Sequence, residues 1–322
     1  MPSQTSAESH SFAAPYDAIV IGGSYAGLSG AMQIARSGRP VCIIDSSQPR
    51  NRFAAHSHGF FGQDGQGPAQ MIAQARADLG RYPNVTFLDA RATAAAQEDS
   101  GFSVTTEAGE TFHAKKLLLA YGVVDILPDL PGLKERWGIT ALHCPYCHGY
   151  EVKGARLGVL SVGPFSPHQA LLISDWGPVT YFLNGQPHPD ELTLAKLKGR
   201  GIKIEKSVVT ALEGESPALS GVRLEDGRLI PLDALFLGSR IRFASDIAGQ
   251  LGCATEEGMQ GPLLQTDAFK QTTVPGVYAA GDLTPRVANA SMAAADGVFA
   301  GVCLHQSLIF GPLDALEKVA SD

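Results

Sequence analysis

The sequence predicts an α/β protein built from two Rossmann-like nucleotide-binding units, and three observations support this fold class. The chain has 322 residues, which is enough for two ordinary domains with a core each. An order of strand, glycine-rich turn, helix and strand occupies residues 17–44. A related order, with fewer glycines in its turn, begins at residue 157. The total of 36 glycines also fits a fold with many tight turns between strands and helices.

The first unit begins with an apolar, β-branched run at residues 17–21, which is typical of a buried parallel strand. A helix is predicted for residues 28–37 and a second strand for residues 41–44. The turn before the helix consists of Gly22, Gly23, Ser24, Tyr25, Ala26 and Gly27, and the second strand is followed by Asp45 and Ser46. This is the order of a dinucleotide-binding βαβ unit.

Several positions of this unit have a physical role in holding a dinucleotide. Gly22 permits the tight turn, and the first N–H groups of the helix can bind a pyrophosphate. Gly27 lets the helix approach the strand closely, and Asp45 can accept hydrogen bonds from an adenosine ribose. Ser24 stands where the usual pattern has its middle glycine. The alternative for this stretch is a glycine turn that holds no ligand.

Two later strand ends extend the predicted nucleotide site. Residues 116–122 read as a strand that ends at Gly122 and leads into a proline-containing crossover between domains. Another predicted strand ends at Gly281 and Asp282, and a helix follows at residues 288–304. A backbone N–H and a carboxylate at such a strand end can bind a ribityl chain.

A C-x-x-C stretch flanked by histidines, at residues 143–148, is the main candidate for chemistry. If Cys144 and Cys147 lie at the start of a helix, one disulfide can join them and the helix N-terminus favours the nearer thiolate. In a reducing compartment, a lone pair of this kind is more often catalytic or metal-binding than structural. Exchange needs a proton acceptor, because the thiolate is the reactive form. An imidazole titrates near neutral pH, so we predict acid–base roles for His148 first and His143 second.

Two other interpretations of this stretch stay open. His143 can serve only as a hydrogen-bond partner of the backbone. The His-Cys-x-x-Cys-His run also offers four possible metal ligands, but structural zinc usually takes a second ligand pair at a distance. The sequence has no second C-x-x-C, so we predict no metal site.

The three remaining cysteines are predicted to be inert. Cys42 lies in the second predicted strand and Cys303 in the last apolar helix, where a thiol behaves as a small hydrophobe. Cys253 lies in a polar stretch and is expected to be partly exposed.

The second βαβ unit has lost most of its nucleotide signature. Between a strand at residues 157–162 and a helix at residues 169–176, the turn keeps a single glycine. Pro164 and Pro167 each remove an N–H that a pyrophosphate needs. The next strand ends at Asn184, without a cation for a 2′-phosphate or an acid for a ribose. We therefore expect NADP(H) binding to be weak, the alternative being a divergent but working NADPH site.

Composition excludes some classes of partner. The acid excess gives a net charge of −7, which argues against nucleic acid and against an anionic membrane surface. Residues 1–14 lack an apolar core and are predicted to be a disordered tail. No apolar segment is expected to approach the roughly 20 residues that span a bilayer. A cytoplasmic protein is therefore predicted.

The order and spacing of these motifs resemble the low-molecular-weight thioredoxin reductase family. The similarity rests on residues 22–27, residues 120–122, the C-x-x-C and residues 279–282, and it covers nearly the whole chain after residue 15. Around residues 143–151 the sequence is most similar to a branch of thioredoxin reductase-like proteins. That branch includes flavin-dependent dithiol oxidases, which close disulfides in small natural products of the gliotoxin and holomycin type.

The resemblance implies an architecture of two three-layer Rossmann-like domains, with the second inserted into the first. Residues 15–124 and 245–322 would form the FAD-binding domain. Residues 125–244 would form the inserted NAD(P)-binding-like domain that carries the C-x-x-C. The resemblance also implies a homodimer.

The resemblance further implies where FAD lies. Cys147 would face the flavin and Cys144 would attack the partner sulfur, while His148 stands where thioredoxin reductases keep an acid. Asp45 would bind the adenosine ribose and Asp282 the ribityl chain. The other implied FAD contacts are Gly22, Gly23, Ser24, Tyr25, Ala26, Gly27, Ser46, Arg52, His58, Ala92, Gly122, Gly281, Asn289 and Ala290.

These features predict an FAD-dependent thiol–disulfide oxidoreductase that uses the Cys144/Cys147 pair. The lost second nucleotide motif favours a dithiol oxidase, which forms a disulfide in a small molecule or peptide with oxygen as acceptor. One alternative is an NADPH- or ferredoxin-dependent reductase of a thioredoxin-like protein. An alternative of another class is a non-catalytic redox- or metal-sensing binding protein that has kept the fold.

Overall fold

The computed structural model describes residues 16–284 and 288–313, so the tail predicted for residues 1–14 lies outside the described residues. The strands of this part, in chain order, are β1 (Tyr16–Ile21), β2 (Val41–Asp45), β3 (Val85–Asp89), β4 (Ala92–Glu98), β5 (Gly101–Thr106), β6 (Thr111–Leu119), β7 (Val123–Ile126), β8 (Ala141–Leu142), β9 (Leu157–Leu160), β10 (Val179–Phe182), β11 (Lys203–Glu205), β12 (Val209–Glu213), β13 (Gly221–Leu224), β14 (Leu229–Pro231), β15 (Ala234–Phe236), β16 (Arg240–Phe243), β17 (Thr255–Glu257), β18 (Pro262–Leu264) and β19 (Val277–Ala279). The helices are α1 (Tyr25–Arg36), α2 (Pro68–Leu79), α3 (Pro145–His148), α4 (Ser166–Ile173), α5 (Glu191–Gly199), α6 (Ile247–Gln250) and α7 (Ala290–Phe310).

The first sheet has a parallel centre in the order β3-β2-β1-β6, and the far edge of β6 is shared by two strands. β19 pairs in parallel with the C-terminal half of β6, whereas β5 pairs antiparallel with its N-terminal half and leads to β4. The central strands read as unbroken apolar runs because both faces of the sheet are covered.

Helices and strands cover opposite faces of this sheet. On one face, α1 and α7 pack against the sheet around Ile34, Tyr278 and Leu304. On the other face, the side chains of β4, β5 and α6 enclose a second core around Phe102, Val104 and Ile247. The unit therefore has three layers.

The second sheet is wholly parallel, in the order β11-β10-β9-β15-β8. Helices α4 and α5 cover one face through Ile173 and Leu197. The antiparallel strands β12, β13 and β14 cover the other face through Leu212 and Val222. The predicted class of two Rossmann-like, three-layer units is confirmed.

A two-stranded antiparallel ribbon of β7 and β16 connects the two units. The chain passes through β7 before it forms the second sheet, and it passes through β16 before β19 joins the first sheet. The second unit is therefore inserted into the first.

Several elements differ from the sequence-based expectation, and α4 spans Ser166–Ile173 instead of residues 169–176. The continuous apolar pattern of residues 230–237 predicts a single strand, but the structure splits it into β14 and β15, which belong to different sheets. The break lies at Asp233, whose carboxylate accepts hydrogen bonds from the backbone N–H and the Nε of Arg156 at 2.8 and 2.9 Å. α7 also continues six residues beyond the predicted end at residue 304, to Phe310.

Among the described residues, α7 has the length and apolar composition of a membrane span, so the expectation that no segment approaches that length is wrong here. Small residues place one face of α7 against α1. A Cβ atom on Gly297 would overlap the carbonyl of Ala26, and one on Gly301 would overlap the carbonyl of Gly30. This close packing between two helices of one domain accounts for the many small apolar residues in α7.

Candidate active site

The first glycine turn lies between β1 and α1. Gly22 has a φ of 106°, and its N–H donates to the carbonyl of Ile44 at 2.8 Å. A Cβ atom on Gly27 would overlap the carbonyl of Gly22, so α1 begins directly against the turn. Ser24 is the N-cap residue of α1, which starts three residues before the predicted boundary. The first N–H groups of α1 therefore face the space above the turn.

Asp45, the last residue of β2, lies against the first glycine turn. A Cβ atom on Gly23 would lie 2.8 Å from the Cβ of Asp45, so only a glycine leaves this passage open. Arg76 Nη1 lies 3.7 Å from an Asp45 carboxylate oxygen, and the guanidinium lies over the Phe87 ring at 4.6 Å. Asp89 accepts a hydrogen bond from Arg76 at 2.7 Å. Arg76 was not predicted as a site residue, because its ion pairs arise only in the folded chain.

A cleft of about 880 Å³ runs from this turn to the C-x-x-C. The predicted residues that line it are Gly22, Gly23, Ser24, Tyr25, Ala26, Asp45, Ser46, Arg52, His58, Ala92, Gly122, His143, Cys144, Cys147, His148, Gly281, Asp282, Asn289 and Ala290. Gly27 lies behind the turn and does not line the cleft. Both units contribute to the walls, so the fold brings the nucleotide turn and the two cysteines to one site.

Two polar groups predicted to contact FAD already have partners within the chain. The N–H of Gly281 donates to Asp296 Oδ2 at 3.0 Å, and that carboxylate also pairs with Lys270 at 2.6 Å. The side-chain oxygen of Asn289 caps α7 by accepting a hydrogen bond from the N–H of Met292 at 2.7 Å. These groups therefore help to build the cleft wall.

Cys144 and Cys147 form a disulfide across the single-turn helix α3. Their Cα atoms are 5.3 Å apart, and Cys144 is the N-cap residue. The N–H of Cys147 donates to the Cys144 sulfur at 3.2 Å. Pro145 at the first helical position fits this geometry, because its fixed φ suits a helix start. The structure shows the pair as a disulfide, which is the form that can accept two electrons.

The two flanking histidines lie in different environments. Burial is the main cause that lowers the pKa of His143 to about 4, with a further contribution from Arg50. Its backbone carbonyl accepts a hydrogen bond from Gln169 Nε2 at 2.9 Å, so helix α4 of the second unit supports the C-x-x-C segment. Burial also lowers the pKa of His148, and Glu151 opposes that shift. Both imidazoles are therefore neutral at pH 7 and can accept a proton.

His58 connects the loop after β2 to the segment that follows the cysteines. Its Nε2 lies 3.3 Å from Glu151 Oε1, and its Nδ1 lies 3.5 Å from Asp64 Oδ1. The resemblance had implied only a contact with the cofactor for His58. Its position between two carboxylates places a third imidazole near Cys147 and His148 in the cleft.

Arg50 lines the cleft and forms two ion pairs, and sequence reasoning did not single it out. It is 15% exposed and forms ion pairs with Asp125 at 2.6 Å and with Asp282 at 3.0 Å. The family resemblance implies that the loop of residues 50–59 runs along the cofactor, and this position is the only sequence signal for Arg50. Because its partners lie 75 and 232 residues away, no local pattern identifies them.

The other three cysteines are buried free thiols. Burial raises the pKa of Cys42 to about 12 and also raises the pKa values of Cys253 and Cys303. The expectation that Cys253 is partly exposed is wrong, since it is 7% exposed and lies 3.5 Å from the Thr272 hydroxyl. In the described ranges, no group of three or more histidine, cysteine or acidic side chains could hold a metal ion.

In the second unit, polar groups at the turn between β9 and α4 and at the end of β10 form hydrogen bonds within the chain. The Ser166 hydroxyl oxygen accepts a hydrogen bond from the N–H of Val162 at 3.1 Å, and Ser166 is buried. Pro164 and Pro167 offer no N–H. At the end of β10, the side-chain oxygen of Asn184 accepts a hydrogen bond from the N–H of Val209 at 3.1 Å. Pro164 and Pro167 therefore lack the N–H, and the N–H of Val162 and the side-chain oxygen of Asn184 are already bonded.

Comparison with known proteins gives consistent matches. A family model described as pyridine nucleotide-disulphide oxidoreductase matches residues 16–297. Thioredoxin reductase tcpT of Claviceps purpurea (strain 20.1) is 34% identical, and the alignment covers 91% of this chain and 94% of the relative. Thioredoxin reductase sirT of Leptosphaeria maculans is 34% identical, with 95% and 98% covered. The crystal structure of an oxidoreductase from Agrobacterium tumefaciens has a TM-score of 0.89 at 42% identity, with 92% of this chain and 100% of that chain covered.

Proposed function

We propose that this chain, which belongs to the pyridine nucleotide-disulphide oxidoreductase family, is a dithiol oxidase with oxygen as the electron acceptor. The resemblance to thioredoxin reductases is confirmed, and the protein is a flavin-dependent disulfide oxidoreductase whose cofactor is FAD. The direction of the reaction and the substrate are the proposal. The observation that carries it is the second turn, where Pro164 and Pro167 offer no N–H and the N–H of Val162 already donates to the Ser166 hydroxyl.

The residues of the cleft fit FAD. Gly22 and Gly23 leave room where a Cβ atom would collide with Ala120 or Asp45, so a dinucleotide can approach the backbone. Asp45 would hold the adenosine ribose, and Asp282 would hold the ribityl chain through the carboxylate oxygen that Arg50 leaves free. When bound, FAD accepts the two electrons that the dithiol delivers to the cysteine pair.

The oxidation proceeds by two thiol–disulfide exchanges. A substrate thiolate attacks the Cys144 sulfur, the Cys144–Cys147 bond breaks, and Cys147 leaves as a thiolate. The second substrate thiolate then attacks the substrate sulfur of this mixed disulfide, and Cys144 leaves as the second thiolate. The substrate is released as a disulfide, and the enzyme pair has gained two electrons. Each substrate thiol loses one proton in this sequence.

His148 is the group that we propose as the first proton acceptor. It lines the cleft beside Cys147 and is neutral at pH 7, since burial lowers its pKa. Glu151 lies within electrostatic reach and favours the protonated imidazolium that results. His143, which is more deeply buried, holds its neutral form more strongly and is the second candidate.

An anaerobic stopped-flow experiment tests the direction. The FAD-loaded protein is mixed separately with dithiothreitol and with NADPH, and the flavin absorbance is followed. The oxidase predicts that the dithiol bleaches the flavin, that air restores it, and that NADPH has little effect. Bleaching by NADPH within milliseconds would refute the proposal.

Both relatives from Claviceps purpurea and Leptosphaeria maculans are named thioredoxin reductases, which favours a second candidate, a reductase of a thioredoxin-like protein. In this reaction the same cysteine pair would pass electrons from NADPH or ferredoxin to the disulfide of the thioredoxin-like protein. Reduction of a thioredoxin-like protein by the FAD-loaded enzyme, with either donor present, would support it. The occupied turn at Ser166 is the observation against NADPH as that donor.

We propose that the protein is a homodimer and cytoplasmic, with a small dithiol as substrate and neither nucleic acid nor membrane as partner. Along α7, Met292, Phe299 and Phe310 are 49%, 46% and 61% exposed, which leaves an apolar surface that a second copy can cover. The three free thiols support a reducing compartment. Light scattering after size exclusion tests the dimer.

A further inference from the structure

One buried arginine ties the loop after β2 to the ribbon between the two units. Arg50 Nε donates to Asp125 Oδ2 at 3.0 Å, and Arg50 Nη2 donates to Asp125 Oδ1 at 2.6 Å. Arg50 Nη1 donates to Asp282 Oδ2 at 3.0 Å. The Asp125 side chain is only 8% exposed. A single guanidinium therefore joins the loop, the first strand of the ribbon and the ribityl end of the cleft.

The hydrogen-bond network of Arg50 and Asp125 extends to the second strand of the ribbon through Ser239, the residue directly before β16. Its hydroxyl donates to Asp125 Oδ1 at 2.5 Å. Burial opposes the ionisation of Asp125, but the hydrogen bonds and charge of Arg50 outweigh it and hold the pKa of this carboxyl below its usual range. Asp125 is thus the centre of a network that holds both strands of the connection.

This network lies next to the redox pair. Val124 of β7 and Arg242 of β16 line the same cleft as Cys144. His143 lies within electrostatic reach of both Arg50 and Asp125. A change in the ribbon would therefore change where the cysteine segment lies relative to the flavin groove.

We propose that Arg50, Asp125 and Ser239 form a clasp that holds the second unit with its disulfide facing the FAD groove. Two domains joined by a narrow connection are expected to move relative to each other. A movement that separated the ribbon from the loop would leave a buried charge without its partner, which is strongly unfavourable. Arg50 is then a positioning residue for electron transfer from the cysteines to FAD, an inference that rests on the proposed function.

The test uses Asp125→Asn and Ser239→Ala, because Arg50 also contacts Asp282 and its variants would mix two effects. The matched control is Arg240→Gln, which removes an exposed ion pair with Glu257 from the same ribbon. The first readout does not need flavin. One nitroxide label is attached to each unit, at Gln74→Cys in the first and at Lys198→Cys in the second, because both native side chains are exposed. The distance between the two labels is measured by pulsed electron paramagnetic resonance.

The clasp predicts one narrow distance distribution in the parent and in Arg240→Gln, with or without FAD. It predicts a second distance population in Asp125→Asn and a smaller one in Ser239→Ala. In the FAD-loaded protein, reduction of the flavin by dithiothreitol should slow about tenfold or more in Asp125→Asn, since small misplacements of reacting groups have large effects on rate. FAD binding itself should persist, because Arg50 and Asp282 are unchanged.

A parent-like distance distribution and flavin reduction rate in Asp125→Asn would overturn the clasp. If that variant does not fold, Ser239→Ala decides: a second distance population supports the clasp and a parent-like distribution overturns it. If the distances respond as expected but dithiols do not reduce the parent flavin, the proposed function fails and the clasp stands. The two failures are therefore distinguishable.

Discussion

At the scale of single residues, the five cysteines differ in environment far more than in sequence context. Cys144 and Cys147 form a disulfide that opens onto the cleft, whereas the other three are buried free thiols. Burial raises the pKa of Cys42 to about 12, which keeps it a thiol at physiological pH. Since only the thiolate exchanges, the chemistry is confined to one pair.

Replacing Cys147 by serine removes the sulfur assigned to the flavin side. We expect Cys147→Ser to bind FAD but to lose reduction of the flavin by dithiothreitol, because no disulfide is left to accept the electrons. Anaerobic stopped-flow spectroscopy measures this loss. The control is Cys253→Ser, a change at a buried thiol outside the cleft, which should keep the parent rate. Unaltered behaviour of Cys147→Ser would indicate a non-catalytic binding protein.

His143 should make stability depend on pH. Its pKa is about 4 in the folded chain, against about 6.5 unfolded, so the unfolded chain binds more protons between these values. The contribution of His143 is fully present above pH 6.5 and is lost as pH falls towards 4, by on the order of 3 kcal/mol. Urea unfolding at several pH values should show that the parent loses this amount relative to His143→Gln.

The control for this measurement is His188→Gln, since His188 is exposed in the second unit. That variant should follow the parent over the whole pH range. Equal slopes of stability against pH in the parent and in His143→Gln would contradict the buried, neutral state of His143.

Residues of the site divide into those that a local pattern reveals and those that it does not. Asp45 and the C-x-x-C were predictable because each lies at a fixed spacing from a strand or a partner. Arg50 was not singled out, since its partners are distant in the chain and only the folded ribbon brings them together. His58 was placed near the cofactor, but its contacts with Glu151 and Asp64 depend on two loops whose geometry has no sequence signature.

At the scale of elements, prediction succeeded where one local signal dominated. The β1–turn–α1–β2 order follows from an apolar run, glycines and a periodic helix, and the structure has it with small boundary shifts. The run at residues 230–237 failed because its apolar pattern is continuous while the chain changes sheet at Asp233. Side-chain period identifies a strand but does not say to which sheet each half belongs.

The contact between α1 and α7 gives an element-scale prediction. A Cβ atom on Gly301 would overlap the carbonyl of Gly30, so Gly301→Ala must push the helices apart. We expect it to destabilise the fold by about 1–3 kcal/mol, the usual range for overpacking. Chemical unfolding measures the change in the free energy of unfolding.

The control here is Gly199→Ala in α5, where a Cβ atom meets no other atom within 4 Å. Replacement of a helical glycine in open space should be neutral or stabilising, by up to about 1 kcal/mol. If Gly301→Ala were as stable as Gly199→Ala, the close approach of α1 and α7 would be refuted.

At the scale of the whole molecule, the two related units differ in the turn that follows their first strand. The first unit keeps an open turn above Gly22 and Gly23, whereas the second keeps the same strand and helix order with its turn bonded to Ser166. In the second unit, α4 carries Gln169, whose side chain donates a hydrogen bond to the carbonyl of His143. The second unit therefore also serves as a platform for the cysteine segment.

This asymmetry predicts how ligands change the thermal stability of the whole chain. A ligand that binds only the folded state adds RT ln(1 + [L]/Kd), which is about 2.7 kcal/mol at a hundredfold excess over Kd. FAD added to flavin-free protein should raise the unfolding temperature by several degrees, because its cleft is lined by both units and binding holds them together. NADPH at the same concentration should leave the unfolding temperature unchanged, since Ser166 and the two prolines leave it few donors. Scanning calorimetry of the flavin-free protein with each ligand makes the comparison.

Adenosine alone is the control for weak binding at Asp45. If NADPH raised the unfolding temperature as much as FAD does, the second turn would still bind its nucleotide, and the reductase would become the leading function.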